Sequence, residues 1–241
     1  MRLWLTLLAF QAAGHPLADG ERAKIKQAQE EAAARATKQI EADPKKTDAY
    51  SRRGDARLFL GDFKGAVADY DEMVELDGEL AASHWRRGIA YFYAGRHEDA
   101  AKQFEAYHSH DDVDRENGIW RYLSQHKAQG RGKAREGLLK YKKDDREPFP
   151  SVYQLFAEKI TPEEILAQIK SASIDDDERE KRYFYAHLYI GLNFAVEGKP
   201  EPAESHLKRA TASRWACGAG FGPAYMWHVG RLHYEQLARA K

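Results

Sequence analysis

The 241-residue sequence predicts an all-α fold, a superhelical solenoid of repeated helix pairs. Three small residues and an aromatic one recur with a spacing of 34 residues: Gly54, Gly61, Ala66 and Tyr70 are followed by Gly88, Gly95, Ala100 and Phe104. No segment alternates apolar and polar residues with a period of two, so we expect no β-sheet. Stacked helix pairs form concave surfaces that hold other molecules, and the period therefore favours binding over catalysis.

A period of 34 residues with these small residues is typical of tetratricopeptide repeats, in which each unit is two antiparallel helices, A and B. Glycine inside a helix costs about 1 kcal/mol relative to alanine, so Gly54 and Gly88 indicate that helix B crosses closely there. We interpret Ala66 and Ala100 as the small residues on helix B at this crossing. Gly61 is expected to end helix A in a left-handed conformation.

A further copy of the pattern lies near the C-terminus, where the spacings match those of the first two units: Gly191, Gly198, Ala203 and Leu207. Pro200 falls in the first turn of its helix B, where a missing N–H is tolerated. Residues 119–141 read as a degenerate pair, with helix A ending at Gly130 and helix B running from Ala134 to Tyr141. Tyr122 takes the place of the repeat glycine, so the packing of this pair must differ.

Other helices are predicted around the repeats. Residues 21–42 form one long helix, and Thr161 begins a short one as the first member of a capping box with Glu164. Residues 218–223 are glycine-rich and are expected to form a loop. The amphipathic residues 224–240 then form a last helix that caps the open end of the solenoid.

The composition limits the partners. There are 38 basic and 38 acidic residues, and this balance argues against nucleic acid, which requires a basic face. No phosphate loop or dinucleotide motif is found, and we predict no cofactor. Cys217 is the single cysteine, which excludes an intrachain disulfide. We expect a protein or peptide as the ligand.

The first 18 residues read as a secretory signal peptide, followed by one helical-repeat domain over residues 20–241. Arg2 precedes an apolar stretch at 3–10 that is too short to span a bilayer, and small residues follow. The mature chain would start after Gly14 or after Ala18, and the protein would be periplasmic, secreted or held by its signal. The alternative is that this segment begins the first helix of a cytoplasmic protein.

No catalytic residue is predicted, although His108, His110, Asp111 and Asp112 are metal-ligand types within one short segment. We expect this segment to be an exposed connector after the second helix B. Metal sites require ligands that converge from oriented positions, so a polar turn is the preferred interpretation and no metal is predicted. A metal-dependent enzyme or binder that uses His108 and His110 is the alternative.

The predicted binding site is the concave face, made by helix A residues of the first two units: Ser51, Asp55, Phe59, Trp85, Arg86, Ile89 and Tyr93. A tryptophan beside an arginine is a common anchor pair at interfaces. The alternative is that these aromatic residues only pack between helices. A cytoplasmic chaperone-type module that grips C-terminal carboxylates is disfavoured, because Asp55 would repel a carboxylate.

From about Asp48 to its end, the chain resembles the NlpI family of bacterial envelope lipoproteins. The resemblance is carried by residues 70–77, 87–96, 120–123, 160–164 and 189–191, and by the order of a degenerate unit, a short capped helix and a restored repeat. It implies a non-enzymatic adaptor that dimerises and brings cell-wall endopeptidases to a periplasmic protease. Residues 1–40 lack the cysteine of a lipoprotein, so the resemblance does not extend to a lipid anchor.

Overall fold

A computed structural model describes residues 15–143 and 145–239, and these residues contain helices but no strand, which confirms the all-α class. The first helices are α1 (Asp19–Ala42), α2 (Thr47–Leu60), α3 (Phe63–Leu76), α4 (Leu80–Ser83), α5 (Trp85–Tyr93), α6 (His97–His110) and α7 (Arg115–Gln129). They are followed by α8 (Arg131–Glu136), α9 (Phe149–Phe156), α10 (Pro162–Ser171), α11 (Asp176–Val196), α12 (Pro200–Thr211), α13 (Arg214–Gly218) and α14 (Phe221–Arg239).

The same kind of packing contact occurs in three helix pairs. In each pair, a glycine of the first helix lies beneath the side chain that follows sixteen residues later in the second helix. A Cβ on Gly54 would lie 2.6 Å from the Tyr70 ring, and one on Gly88 would lie 2.7 Å from the Phe104 ring. In the α11–α12 pair, a Cβ on Gly191 would lie 2.7 Å from Leu207. The structure is therefore repeat-like at the three predicted places.

The helix B alanines are buried, and larger side chains of the same helices make the nearest contact with the glycines. Ala66, Ala100 and Ala203 are fully buried, but the atoms nearest to the repeat glycines belong to the larger side chains one turn later. The glycines therefore make room for two aromatic rings and a leucine. Gly61 ends α2 with φ 85°, the left-handed conformation that the sequence predicts.

The degenerate pair consists of α7 and α8, and its second helix is shorter than predicted. Helix α8 ends at Glu136, and the carbonyl of Gly137 accepts a hydrogen bond from the Arg121 guanidinium instead of continuing the helix. Tyr122, at the place of the repeat glycine, is buried with its ring 5.1 Å from that of Phe156 in α9. The Tyr122 side chain is accommodated because the helix that packs against it is α9, not the second helix of its own pair.

The short helix α10 begins as predicted. The Thr161 hydroxyl accepts from the Glu164 N–H at 3.2 Å, and the Glu164 carboxylate accepts from the Thr161 N–H at 2.8 Å. Pro162 occupies the first helical position. These reciprocal bonds confirm the capping box.

The C-terminal segment differs from the expectation in two ways. Residues 214–218 are helical, and α14 begins at Phe221 rather than at 224. Helix α14 packs on α12, where Trp227 Nε1 donates to the Thr211 carbonyl at 2.9 Å, and it also reaches back to the first pair. There Arg231 donates to the Phe59 carbonyl at 2.7 Å. It is therefore more than an end cap, because it also closes on the first helix pair.

The N-terminal residues that the structure describes belong to this packing. Leu17 is 4% exposed, and the His15 ring lies 5.1 Å from the Tyr234 ring of α14. Helix α1 begins at Asp19, with the Glu21 carboxylate bonded to the Ala18 N–H at 2.9 Å. The apolar stretch of the predicted signal peptide lies outside the described residues. Across 15–143 and 145–239, no helix has the length and apolar character to cross a membrane.

Candidate functional site

The polar residues predicted for the concave face lie together and bind one another. Arg86 Nη1 donates to Asp55 at 2.8 Å and to Ser51 Oγ at 2.9 Å, and the Tyr70 hydroxyl donates to Asp55 at 2.6 Å. Burial raises the pKa of Asp55, although Arg86 favours its ionised form. These polar groups satisfy each other inside the structure.

The apolar residues of the same face contact the chain's own last helix. The Phe59 ring stacks on His228 with centroids 4.1 Å apart, and the Tyr93 hydroxyl lies 3.1 Å from His233 Nδ1. Ile89 is fully buried. Helix α14 thus covers this part of the predicted concave face. The repeat pattern identifies residues that point inward, but it does not show which other segment of the chain packs on them. The partner-binding role of these residues stays a prediction.

Trp85 is different, because it lines a cavity of about 480 Å³ between α5, α6, α7, α11, α13 and α14. Its apolar lining includes Trp85, Phe104, Trp120, Trp215, Pro223 and Met226. Its polar lining includes Asp114, Glu116, Asn117, Arg146, Lys181 and Tyr185. Arg86 is not among the lining residues, so the structure separates the predicted anchor pair.

Asp114, Glu116 and Arg146 of the lining belong to a cluster of carboxylates around one guanidinium, which Asp145 completes from outside the lining. Arg146 Nη2 lies 2.5 Å from Glu116 Oε2, and Nη1 lies 3.3 Å from Asp145 and 3.6 Å from Asp114. The Tyr189 hydroxyl donates to the second oxygen of Glu116. Three carboxylates therefore share a single arginine, and the cluster carries excess negative charge when all of them are ionised.

Burial controls the ionisation of this cluster. It raises the pKa of Glu116 to about 7 and also raises the pKa of Asp114. Burial alone would lower the pKa of Arg146, but Glu116 and Asp114 outweigh it and raise this pKa. Glu116 is thus near its midpoint at neutral pH, and a cation placed beside it would favour the ionised form.

Asn117 adds an unused acceptor to the cavity lining. Its amide Nδ2 donates to the Phe104 carbonyl at 2.9 Å, whereas Oδ1 is buried and has no hydrogen-bond partner. The residue is 3% exposed. The indole Nε1 of Trp120 in the same lining is likewise buried without a partner, so the lining leaves one acceptor and one donor unpaired.

The histidine segment does not form the expected connector. His108 and His110 lie in the last turn of α6, because the helix continues until Asp111. The His108 ring contacts Tyr141 edge-on at 5.1 Å, and His110 is exposed. Within the ranges given above, no three histidine, cysteine or acidic residues are grouped so that they could hold a metal ion. Cys217 is exposed in α13 rather than in a loop.

Sequence reasoning missed most of this cavity. Glu116 lies in the first turn of α7, Arg146 between α8 and α9, and Trp215 in α13. No spacing rule connects these three positions. Of the residues that line the cavity, only Trp85 was predicted from the sequence as part of a binding site. No protein-family model matches the chain.

Proposed function

We propose that this protein is a non-enzymatic helical-repeat adaptor of the tetratricopeptide type, and that its protein or peptide partner inserts into the cavity beside Trp85. The observation that carries the proposal is the cavity itself, about 480 Å³ in volume with three tryptophans in its lining. Ligand sites are commonly mostly apolar cavities of roughly 300–1,000 Å³ with a few convergent polar groups. Buried tryptophans are the usual anchors of protein interfaces.

The proposal includes export and the partners that the NlpI resemblance implies, namely wall hydrolases and a periplasmic protease. The contacts of His15 and Leu17 help to choose between the two predicted cleavage sites, because both residues pack against the rest of the fold. Cleavage after Gly14 would preserve these contacts, whereas cleavage after Ala18 would remove them. We therefore favour a mature chain that starts at His15.

A chaperone-type module that grips carboxylates receives less support. Asp55 is already paired with Arg86, and the open cavity has a carboxylate-rich lining that would repel a C-terminal carboxylate. The histidine-dependent alternative is also disfavoured, because His108 packs on Tyr141. A variant with both His108→Ala and His110→Ala should bind its partners normally.

The test is crosslinked affinity purification of the tagged protein from envelope and soluble fractions, read by mass spectrometry. Trp215→Ala removes a cavity wall, and Phe194→Ala is the matched control, because this partly buried aromatic residue contacts His206 and is absent from the lining. Circular dichroism verifies that both variants fold. Recovery of wall hydrolases or a periplasmic protease by wild type and the control, but not by Trp215→Ala, would support the proposal. Recovery of cytoplasmic chaperones, or equal recovery by both variants, would overturn it.

A further inference from the structure

We infer that the cavity beside Trp85 receives a cationic side chain, so that the ammonium of a lysine or the guanidinium of an arginine on the partner lies against Glu116 and Asp114. The inference rests on the proposed function insofar as a protein supplies this side chain. It specifies the chemistry that the cavity recognises, which the adaptor proposal leaves open.

The charge around the cavity favours a cation. Arg146 is the guanidinium shared by Asp114, Glu116 and Asp145. The other cation in the lining, Lys181, is paired with Glu178 at 2.9 Å. An incoming anion would have to compete with three carboxylates for Arg146, whereas an incoming cation would compensate the excess negative charge.

The aromatic walls favour the same class of ligand. Cations are attracted to aromatic faces, most strongly when they are removed from water. The chain already makes such contacts here, since the Arg146 guanidinium lies 4.3 Å from the Phe149 ring centroid and 6.0 Å from that of Tyr185. Trp85 and Trp215 offer further aromatic surface in the lining. A basic side chain also has an apolar stem that such walls can bury.

The unpaired polar atoms of the lining do not favour one charge over the other. Asn117 Oδ1 and Trp120 Nε1 are both buried without a hydrogen-bond partner, and one is an acceptor whereas the other is a donor. The charge of the cluster and the aromatic walls therefore select the cationic ligand.

The experiment titrates the purified full chain with blocked tripeptides of the form Gly-X-Gly, where X is lysine, arginine, norleucine or glutamate. Binding is read from the indole N–H signals of the five tryptophans by NMR. We expect saturable shifts with lysine and arginine, at least tenfold weaker binding of norleucine, and no binding of glutamate. Equal binding of norleucine, or preference for glutamate, would overturn the inference.

Two conservative variants sharpen the test. Asp114→Asn keeps an oxygen that can accept from the Glu116 N–H but removes a charge from the cavity, and it should weaken lysine binding at least threefold. Asp112→Asn is the matched control, because this exposed carboxylate on the same connector pairs with Lys143. Equal weakening by the two variants would contradict the inference.

The titration requires no cellular partner, so its result is separate from that of the capture experiment. Tripeptide binding without specific capture would refute the adaptor and retain the cation site. Capture without preference for lysine or arginine over norleucine would retain the adaptor and refute the cation site.

Discussion

The ring of Phe59 stacks on the imidazole of His228 with their centroids 4.1 Å apart, and this contact joins the first helix pair to the last helix. On the same side, the hydroxyls of Tyr70 and Tyr225 lie 3.4 Å apart. The inward surface of the repeats is thus part of the core along α14. The cavity beside Trp85 lies where this closure leaves space.

Buried histidines make the fold sensitive to acid. Burial lowers the pKa of His84, His187 and His228 to about 3 and that of His233 to about 4. A depressed pKa means that the unfolded state binds the proton more readily, so stability is lost as the pH falls below about 6.5. At pH 5 each of these histidines should lower the free energy of unfolding by about 2 kcal/mol. Glu116 acts in the opposite direction, because its pKa is raised to about 7 and its protonation stabilises the folded state at pH 5. Its contribution offsets the loss from roughly one of the four histidines. Urea denaturation at pH 7.5 and pH 5 should therefore show a clear net loss in the free energy of unfolding.

The contribution of one histidine can be isolated with His228→Phe. Phenylalanine keeps a ring against Phe59 but cannot be protonated, so the loss between pH 7.5 and pH 5 should shrink by about 2 kcal/mol. Urea denaturation at both pH values compares the variant with wild type. The same pH dependence in His228→Phe and wild type would contradict the assignment.

The repeat glycines should be intolerant of side chains. Gly88→Leu would place a Cβ 2.7 Å from the Phe104 ring, and the overpacked pair should lose about 1–3 kcal/mol. Gly78→Leu is the matched control, because a Cβ there has nothing within 4 Å. Thermal unfolding compares the two, and an unchanged melting temperature in Gly88→Leu would disprove the close crossing.

Arg86 is predicted to support stability rather than recognition. Its guanidinium pairs with Asp55 in a region where the side chains are 18% and 15% exposed. Arg86→Ala leaves a carboxylate buried without its partner, which typically costs about 3–5 kcal/mol. The double variant Arg86→Ala with Asp55→Ala should recover part of this loss, as measured by urea denaturation. No recovery would indicate that Arg86 acts through packing alone.

The sequence was sufficient for the helix pairs, because their signals are local. Gly54 and Gly88 are unfavourable inside helices unless another element packs there, and Thr161 with Glu164 marks a helix start through bonds only three residues apart. Contacts between distant segments carry no such signal. The stacking of Phe59 on His228 depends on where the final helix returns.

The candidate site was predicted only through Trp85, for the same reason. Glu116 and Arg146 meet because the degenerate pair shortens its second helix and lets the following segment fold back on α7. The 34-residue pattern assigns a residue to a face by its position within the repeat unit. Residues in an irregular segment have no such position, so the pattern says nothing about where they lie. His108 was misplaced because polar residues alone do not end a helix, and α6 continues to His110.

The capping box of α10 allows a local test of stability. The Thr161 hydroxyl and the Glu164 carboxylate each satisfy an N–H that the helix leaves unpaired, and removing such a cap typically costs about 1 kcal/mol. Thr161→Ala should lower the free energy of unfolding by this amount. Because Ile165 and Ile169 of the same helix are buried in the core, local fraying should be transmitted to the whole fold.

Ser171→Ala is the control for this prediction. Ser171 is exposed at the other end of α10, where its hydroxyl donates to the Gln168 carbonyl at 3.2 Å. Surface substitutions of this kind usually change stability by less than about 0.5 kcal/mol. If urea denaturation shows Thr161→Ala to be no more destabilising than Ser171→Ala, the capping box does not anchor the helix. The buried isoleucines would then hold α10 in place through packing alone.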